Sequence, residues 1–205
     1  VLILDASFAG GGTTAAGMGH LVAMDDSPAQ LALTAYSTQL WTALVSELPS
    51  NVEYDACGTL WVAEDEEQMD AVREKQRTYA DSGIDAETLS PAQLAEAEPH
   101  LRPGLAGALR VPGDAVIYPP NAALALVQRA VEKGAQLREG IRVDAIGPRE
   151  VLAGSERISC DCVINAGGAQ APALTPGLPI VPRKGHLVIT DRYPGFCRHQ
   201  LVELG

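Results

Sequence analysis

The chain has 205 residues, of which 46% are hydrophobic, and this length allows one or two compact domains with a sizeable core. Its formal net charge of −11 argues against nucleic acid or an anionic membrane as the main partner, because both require a positively charged surface. No run approaches the roughly 18 apolar residues of a membrane-spanning helix, so we expect no integral membrane segment.

The first predicted element is a buried strand at the start of the chain. The run from Val1 to Leu4 is apolar without alternation, which is typical of a parallel strand covered on both faces. Asp5 follows at the strand end, and glycines occupy positions 10–12. We therefore expect an acidic strand tip followed by exposed main chain.

Three helices and a strand are predicted next. The sequence SPAQ at 27–30 is a capping-box start with proline at the first helical position, and Pro49 closes this helix. The run GTLWVA at 58–63 predicts a strand. Acidic residues at 64–67 favour a second helix start. SPAQ recurs at 90–93, where it predicts a third, short helix.

A further helix and several short strands are predicted after a loop-rich region. Residues 99–120 contain many glycines and prolines. A helix is expected from Pro120 to its stop at Gly134. Short strands are then expected at 136–138 and 142–146, and a hairpin is expected at 151–158.

Two more strands are predicted near the end of the chain. The apolar stretch CDCVINAGGAQAP at 160–172 predicts a second buried strand that ends in a glycine pair. The alternating run HLVIT at 186–190 predicts a strand that contains His186 as a structural residue. The mixture of helices and buried strands predicts an α/β protein with a nucleotide-binding core.

The four cysteines do not predict a metal site. No CxxC or paired Cys/His spacing occurs among Cys57, Cys160, Cys162 and Cys197. We therefore expect no metal, and we interpret the cysteines as reduced thiols of a cytoplasmic protein.

Asp5 has the sequence context of a ribose-binding acid. In dinucleotide-binding sheets an acid at the end of the second strand accepts hydrogen bonds from the adenosine ribose. The glycine-rich pyrophosphate loop expected about 20 residues upstream of such an acid is not in this sequence. Turn chemistry is the alternative, since many buried strands end in Asp.

The segment after Asp5 is suited to close contact with a ligand. Three glycines allow a close approach of the backbone, and Thr13 and Thr14 supply hydroxyl and N–H groups for phosphate or ring edges. The small residues at 15–17 keep the following turn narrow. A flexible loop that leads into a helix is the alternative interpretation.

Five segments, in this order along the chain, carry a family resemblance: LDASFAGGGTTAAGMGHL, GTLWVAEDEEQM, DAVIYPPNAALALVQRAVEKGAQL, DCVINAGGAQAPAL and LPIVPRKGHLVIT. They resemble the superfamily of FAD enzymes that includes D-amino acid oxidase, glycine oxidase and sarcosine oxidase. Within it, GGGTTAAGMGHLVAMDDSPAQ is most similar to flavoprotein subunits of D-hydroxyproline dehydrogenases. The resemblance implies an α/β (α+β) protein with a Rossmann-like FAD-binding domain and a mixed-sheet substrate domain.

The resemblance also implies domain limits. Residues 1–48 and 114–177 are expected to form the FAD-binding domain, without its first strand and phosphate loop. Residues 49–113 and 178–205 are expected to form the substrate domain, without its C-terminal part. The carboxylate-binding arginine of the family is expected beyond Gly205, so the chain resembles a truncated member.

The cofactor implied by the resemblance is FAD. Asp5 and Ala6 are expected at the adenosine ribose, and Thr13 and Thr14 near the pyrophosphate and the ribityl chain. Residues 17–19 are expected along the isoalloxazine ring of the flavin. The whole implied set of cofactor-binding residues is Asp5, Ala6, Thr13, Thr14, Gly17, Met18, Gly19, Ile146, Ala166 and Gly167. Most of these roles belong to the main chain, which explains the small residues.

The implied reaction is hydride transfer to flavin N5 from the carbon beside the amine of a small amino or imino acid. The resulting imine is hydrolysed by water. No catalytic residue is assigned, but Met18 and His20 are candidates for the substrate pocket. A hydrogen-bonded histidine at a helix start is the alternative for His20. D-Hydroxyproline, another D-amino acid, glycine and sarcosine are all compatible substrates.

Two other functions stay open at this stage. A truncated, non-catalytic relative would serve as an interaction or assembly subunit through its exposed apolar surface. A nicotinamide-dependent dehydrogenase would use Asp5 but leaves Gly167 and the segment 13–19 unexplained. A hetero-oligomeric or electron-accepting partner is also expected for the enzyme.

Overall fold

The computed structural model describes residues 1–204 and divides into two compact units. The first unit contains Val1–Ala16 and Ala123–Thr190, and the second contains Gly17–Ala122 and the residues from Asp191 on. Contacts between residues define these limits. They assign residues 17–48, 114–122 and 178–190 differently from the predicted domain ranges. The assignment of an FAD-binding and a substrate domain stays a prediction.

Helices and strands both occur along the described chain, in agreement with the predicted α/β class. The α-helices are α1 (Gly12–Ala15), α2 (Pro28–Leu44), α3 (Glu66–Asp81), α4 (Pro91–Ala97), α5 (Pro119–Glu132) and α6 (Ala171–Leu174). The strands are β1 (Leu2–Leu4), β2 (His20–Leu21), β3 (Thr59–Ala63), β4 (Glu87–Leu89), β5 (Gly107–Val111), β6 (Ala115–Val116), β7 (Gln136–Arg138), β8 (Ala145–Gly147), β9 (Glu150–Ala153), β10 (Glu156–Ser159) and β11 (Gln200–Glu203). Short 3₁₀ helices occupy Val45–Glu47, Ser50–Val52 and Gly168–Gln170.

The second unit is built on a mixed sheet with strand order β11-β3-β5-β4. Strand β11 pairs with β3 in parallel, whereas β5 pairs with both β3 and β4 in antiparallel. Because side chains alternate across a strand, Leu60 and Val62 join the core that contains Leu94 of α4. Trp61 lies in the core that contains Tyr79 of α3. The all-apolar run of β3 is therefore covered on both faces.

The predicted helix starts are confirmed by their capping hydrogen bonds. Ser27 Oγ accepts from Gln30 N at 3.2 Å at the start of α2. Asp65 Oδ1 accepts from Gln68 N at 2.9 Å at the start of α3. The repeated SPAQ forms a complete capping box at the start of α4. These caps satisfy backbone donors that the first helical turn leaves free.

The first unit contains smaller sheets. Strand β1 pairs in parallel with β7, and the order β10-β9-β8 forms an antiparallel meander. The hairpin predicted at 151–158 is confirmed as β9 and β10, whose residues Ala153 and Glu156 pair beside the turn.

Two predicted strands are not formed. Residues 160–167 have no regular structure, and Ile164 is 86% exposed. The run at 186–190 is also irregular, with Val188 90% exposed and His186 outside any strand. An apolar run becomes a buried strand only when neighbouring strands and covering helices are present. Within residues 1–204, neither run has a ladder partner.

Candidate functional site

Asp5 lies directly after β1 and is held by the backbone around it. Its N–H donates to Arg138 O at 3.1 Å, and its carbonyl accepts from Ile141 N at 2.9 Å. Its Oδ1 accepts from Ser7 N at 2.7 Å. One carboxylate oxygen therefore stabilises the turn, and Ala6 beside it is exposed.

The glycine segment of the first unit requires glycine for its own geometry. Gly10 and Gly12 have φ of 80° and 58°, the left-handed region that favours glycine. A Cβ on Gly11 would lie 2.8 Å from the ring of Phe8. Thr13 and Thr14 are exposed in the first turn of α1, where N–H groups have no intrahelical acceptor.

The segment 17–20 belongs to the second unit and is fixed by packing against its own chain. Gly19 has φ of 77°, and a Cβ there would lie 1.8 Å from Ile117 O. His20 begins β2, where it pairs with Val116, so the alternative of a helix-start histidine is wrong. Met18 is 61% exposed, and Gly17 beside it is also exposed.

The remaining predicted cofactor residues lie in the first unit. Ile146 is on β8, opposite Val151, and is half-buried. Ala166 and Gly167 are exposed in the loop before α6. Asn165 organises this loop: its Oδ1 accepts from Gly167 N at 3.1 Å, and its Nδ2 donates to Ala171 O at 2.9 Å. Sequence reasoning missed Asn165, although an amide before a glycine pair is a known turn signal.

The two units divide the predicted cofactor residues. The residues of the first unit are Asp5, Ala6, Thr13, Thr14, Ile146, Ala166 and Gly167. Those of the second unit are Gly17, Met18 and Gly19. The roles of all ten stay predictions.

A cavity of about 710 Å³ lies within the second unit. Both predicted pocket residues, Met18 and His20, line it. The other lining residues are Val22, Met24, Trp61, Val62, Glu64, Leu101, Arg102, Leu105, Leu201, Val202 and Glu203. Mostly apolar walls with a few charged groups are typical of small-molecule sites.

Burial lowers the pKa of the His20 imidazole below its ordinary value. A lowered histidine pKa favours the neutral ring at neutral pH. His20 is exposed as a whole residue, and its neutral ring offers one nitrogen as a proton acceptor at the cavity lining.

An ion pair beside the lining residue Trp61 supports one wall of the cavity. The Lys75 ammonium pairs with Asp25 and lies 4.0 Å from the centroid of the Trp61 ring. The Tyr79 hydroxyl donates to Ala23 O at 2.7 Å. These contacts attach the chain around Met24, a lining residue, to α3.

Asp114 anchors the same segment from a buried position. Its Oδ1 accepts from Ala23 N at 3.1 Å, whereas Oδ2 is buried with no hydrogen-bond partner within residues 1–204. Burial raises the pKa of Asp114 to about 6. The carboxyl group therefore titrates well above its ordinary range.

Residues 1–204 contain neither a cluster of metal ligands nor a membrane-spanning helix. In the described part of the chain, no group of three or more His, Cys, Asp or Glu side chains is arranged to hold a metal ion. None of the helices described combines the length and apolar character needed to cross a bilayer.

Comparison with known proteins gives a match over nearly the whole chain. Residues 1–203 match the family described as FAD dependent oxidoreductase. The chain belongs to this family. The resemblance seen in the sequence, the α/β fold class and FAD as the family cofactor are thereby confirmed.

Individual relatives of the FAD dependent oxidoreductase family agree with this placement. The chain is 33% identical over 172 residues to a D-amino acid dehydrogenase of Xylella fastidiosa, covering 76% of this chain and 38% of that protein. It is 28% identical over 201 residues to the mitochondrial sarcosine dehydrogenase of Mus musculus, covering 90% and 22%. The structure of glycine oxidase from Geobacillus kaustophilus matches with a TM-score of 0.76 and 27% identity, covering 84% of this chain and 50% of that chain.

The chain therefore spans half or less of the length of these family members. The residues present nevertheless fit the family cofactor. Thr13 and Thr14 offer exposed hydroxyl and N–H donors of the kind that bind phosphate oxygens. A Cβ on Gly12 would meet no atom within 4 Å, so the main chain there is open to a ligand.

Proposed function

We propose that the protein is an FAD-dependent oxidoreductase that oxidises the C–N bond of a small amino or imino acid. The observation that carries this proposal is the cavity lined by Met18 and His20, which follow the open glycine–threonine segment along the chain. The three relatives described above are named for D-amino acids, sarcosine and glycine, which are all amines. D-Hydroxyproline belongs to the same substrate class.

FAD, when bound, supplies the two-electron oxidation in this proposal. The free oxygen of Asp5 would hold the adenosine ribose, and the donors of Thr13 and Thr14 would hold the pyrophosphate. The backbone of Ala6, Ile146, Ala166 and Gly167 would supply further main-chain contacts to FAD. The main chain at Gly17, Met18 and Gly19 would hold the flavin ring.

The cavity residues act on the substrate. Met18, with an adaptable and exposed side chain, shapes the pocket entrance. The neutral imidazole of His20 accepts the proton that the substrate ammonium loses, because oxidation beside nitrogen requires the free amine. Alignment of the amine then provides much of the rate enhancement.

Titration of the purified protein with FAD tests the cofactor part of this proposal. We expect quenching of flavin fluorescence, and about tenfold weaker binding for Asp5→Ala, since hydrogen bonds to charged groups contribute about 1.5–3 kcal/mol. Asp81→Asn, at an exposed position of α3, is the matched control. A protein that binds no FAD would contradict the proposal.

Anaerobic mixing tests the reaction. D-Hydroxyproline, D-alanine, glycine and sarcosine are each added to the FAD-loaded protein, and we expect at least one to bleach the visible absorption of the flavin. A 2-hydroxy acid of similar size is the control and leaves the absorption unchanged. Bleaching by the hydroxy acid alone would show that the substrate is an alcohol and not an amine.

A cytoplasmic location and an electron-accepting or hetero-oligomeric partner are also part of the proposal. The cysteines of the described chain are free thiols, which suits a reducing compartment. Fractionation of the native host, followed by assay of each fraction for flavin-linked amine oxidation, checks the location. Reoxidation of the reduced protein by dissolved oxygen, compared with artificial acceptors, distinguishes an oxidase from an enzyme that needs a partner.

A non-catalytic interaction subunit is the second candidate. One observation favours it: Leu33, Tyr36 and Leu40 lie on one face of α2 and are 68%, 60% and 53% exposed. Absence of FAD binding, together with self-association by light scattering that Tyr36→Ser abolishes, would support this role over the enzyme.

A further inference from the structure

We propose that Glu139 is a positioning residue for FAD: its carboxylate holds the turn at residues 8–11, which leads into the segment that binds the pyrophosphate. This role rests on the proposed function, where residues 12–14 are assigned to the phosphate groups of FAD. Glu139 itself is not among the residues predicted to contact the cofactor. It acts through Ala9, whose backbone N–H donates to Glu139 Oε1 at 2.8 Å.

The chain segments after β1 and β7 stay paired beyond the ends of these strands. Asp5 N donates to Arg138 O at 3.1 Å, and Ile141 N donates to Asp5 O at 2.9 Å. Gly140 N donates to Ser7 O at 2.9 Å. Backbone contacts therefore connect the two segments as far as Ser7, and all of them lie within the first unit.

The Glu139 side chain connects the two segments one step further, at the turn. Ala9 is 8% exposed, and a backbone N–H with little access to water requires an acceptor in the protein. Glu139 Oε1 supplies it, in a charge-assisted hydrogen bond of the stronger kind. The turn closes through Gly11 N, which donates to Phe8 O at 3.1 Å. Gly10, the third residue of the turn, has φ of 80°, as a type II turn requires.

This turn sets the direction in which the main chain enters the proposed phosphate-binding residues. Thr13 and Thr14 are exposed, and a Cβ on Gly12 would meet no atom within 4 Å. Because packing does little to orient these residues, the turn before them carries much of their orientation. A segment that is ordered before the ligand arrives avoids the cost of ordering on binding. Glu139 therefore contributes to FAD affinity without a contact to FAD.

The charge of Glu139 has the opposite effect on FAD, and this difference separates position from charge. The neighbouring cation Arg138 is already engaged by Glu156, with Nη1–Oε1 and Nη2–Oε2 distances of 2.9 and 2.6 Å. The Glu139 carboxylate thus adds negative charge near a segment that receives phosphate, and like charges repel. Loss of the charge alone is expected to strengthen FAD binding, whereas loss of the acceptor for Ala9 is expected to weaken it.

Two substitutions at Glu139 test these opposite effects by titration with FAD, followed through flavin fluorescence. Glu139→Gln keeps an acceptor oxygen for Ala9 N without the charge, and we expect it to bind FAD at least as tightly as the parent. Glu139→Ala removes both, and we expect about tenfold weaker binding. Glu132→Gln and Glu132→Ala, at the exposed end of α5, are the matched controls and are expected to bind FAD as the parent does. A Gln variant as weak as the Ala variant would overturn the positioning role.

Amide hydrogen exchange measured by NMR reports on the same contact without any ligand. In Glu139→Ala the Ala9 amide is expected to exchange about tenfold faster than in the parent, whereas Glu139→Gln keeps it slow. The amides of β1, which pairs with β7, are expected to exchange equally in all variants, and this checks that the first unit is folded. Equally fast exchange of the Ala9 amide in parent and variants would overturn the proposal.

A second ligand, inorganic pyrophosphate, separates this inference from the proposed function. FAD binding that is insensitive to Glu139→Ala would overturn the positioning role and keep the oxidoreductase. A protein that binds no FAD, but binds pyrophosphate more weakly in Glu139→Ala than in Glu139→Gln, would contradict the oxidoreductase and keep the role of Glu139 towards phosphate. A parent protein that binds neither ligand would contradict both.

Discussion

Gly19 packs so tightly against Ile117 that a Cβ on the glycine would lie 1.8 Å from the Ile117 carbonyl oxygen. Ile117 also donates its N–H to the carbonyl oxygen of Gly19 at 2.9 Å. This contact holds β2, and with it His20, beside β6. The glycine is therefore required by the fold of the second unit, whatever its role towards a cofactor.

Gly19→Ala is expected to destabilise the second unit. The new methyl group clashes with backbone that cannot move freely, and φ of 77° strains a residue with a Cβ. We expect a loss of more than about 2 kcal/mol in the free energy of unfolding, measured by urea denaturation. Gly113→Ala is the control, because a Cβ there meets no atom within 4 Å. Equal stability of the two variants would contradict the packing argument.

Asp114 predicts a pH dependence of stability. Its folded-state pKa of about 6 lies above the ordinary value of 3.8, so the native state binds more protons than the unfolded state between these values. Stability therefore falls as pH rises through this window and levels off above it. The shift corresponds to a loss on the order of 3 kcal/mol.

Asp114→Asn tests this dependence. The amide keeps an acceptor for Ala23 N and places a donor where the carboxylate oxygen Oδ2 lacks one. We expect the variant to be more stable than the parent at pH 8, with the fall between pH 4 and 6 removed. Urea denaturation across this pH range measures both effects. Asp81→Asn, which is exposed, is expected to leave the profile unchanged.

Local signals in the sequence predicted the elements that depend on local chemistry. Ser27, Asp65 and Ser90 each cap a helix through a neighbour three residues away, so a short window contains the whole interaction. The apolar runs at 160–167 and 186–190 failed as strand predictions because a strand depends on partners elsewhere in the chain.

Only part of the cavity lining could be predicted, because the rest depends on residues that are distant in the sequence. Met18 and His20 adjoin a recognisable glycine segment, which made them visible in the sequence. Glu64, Arg102 and Glu203 come from three separate stretches of the chain, so tertiary structure alone brings them into the lining of one cavity. An exposed charged residue in a sequence is most often a solvated one.

Lys75 is expected to stabilise the cavity wall through Trp61 and Asp25. Lys75→Met removes the ion pair and the cation–π contact and leaves the Asp25 carboxylate, which is 22% exposed, without its partner. We expect a loss of about 1–3 kcal/mol in unfolding free energy and a shift of Trp61 fluorescence.

A double-mutant cycle with Asp25→Asn isolates the pair. Coupling well above about 0.5 kcal/mol supports a direct interaction, because distant sites add within that limit. Lys133→Met, at an exposed position after α5, controls for the loss of a charge. A cycle with no coupling would show that the wall does not depend on this pair.

Glu98 is expected to hold β11 in place. Its side chain is 1% exposed, and Oε1 accepts from the N–H groups of Arg198 and His199 at 2.8 and 2.7 Å and contacts His199 Nδ1 at 2.8 Å. Glu98→Ala leaves these partly buried backbone donors without their acceptor. A buried donor left without its partner costs about 1–3 kcal/mol, so we expect a loss of stability of at least this size.

Hydrogen exchange distinguishes the release of β11 from a general loss of stability. In Glu98→Ala, the amides of β11 are expected to exchange faster than those of β5, because the anchor just before Gln200 is lost. Glu96→Ala is the matched control, since its exposed side chain lies in α4 two residues before Glu98, and Arg198 contacts only its backbone carbonyl within the described chain. Uniformly faster exchange throughout the sheet would show that Glu98 stabilises the whole second unit and not β11 in particular.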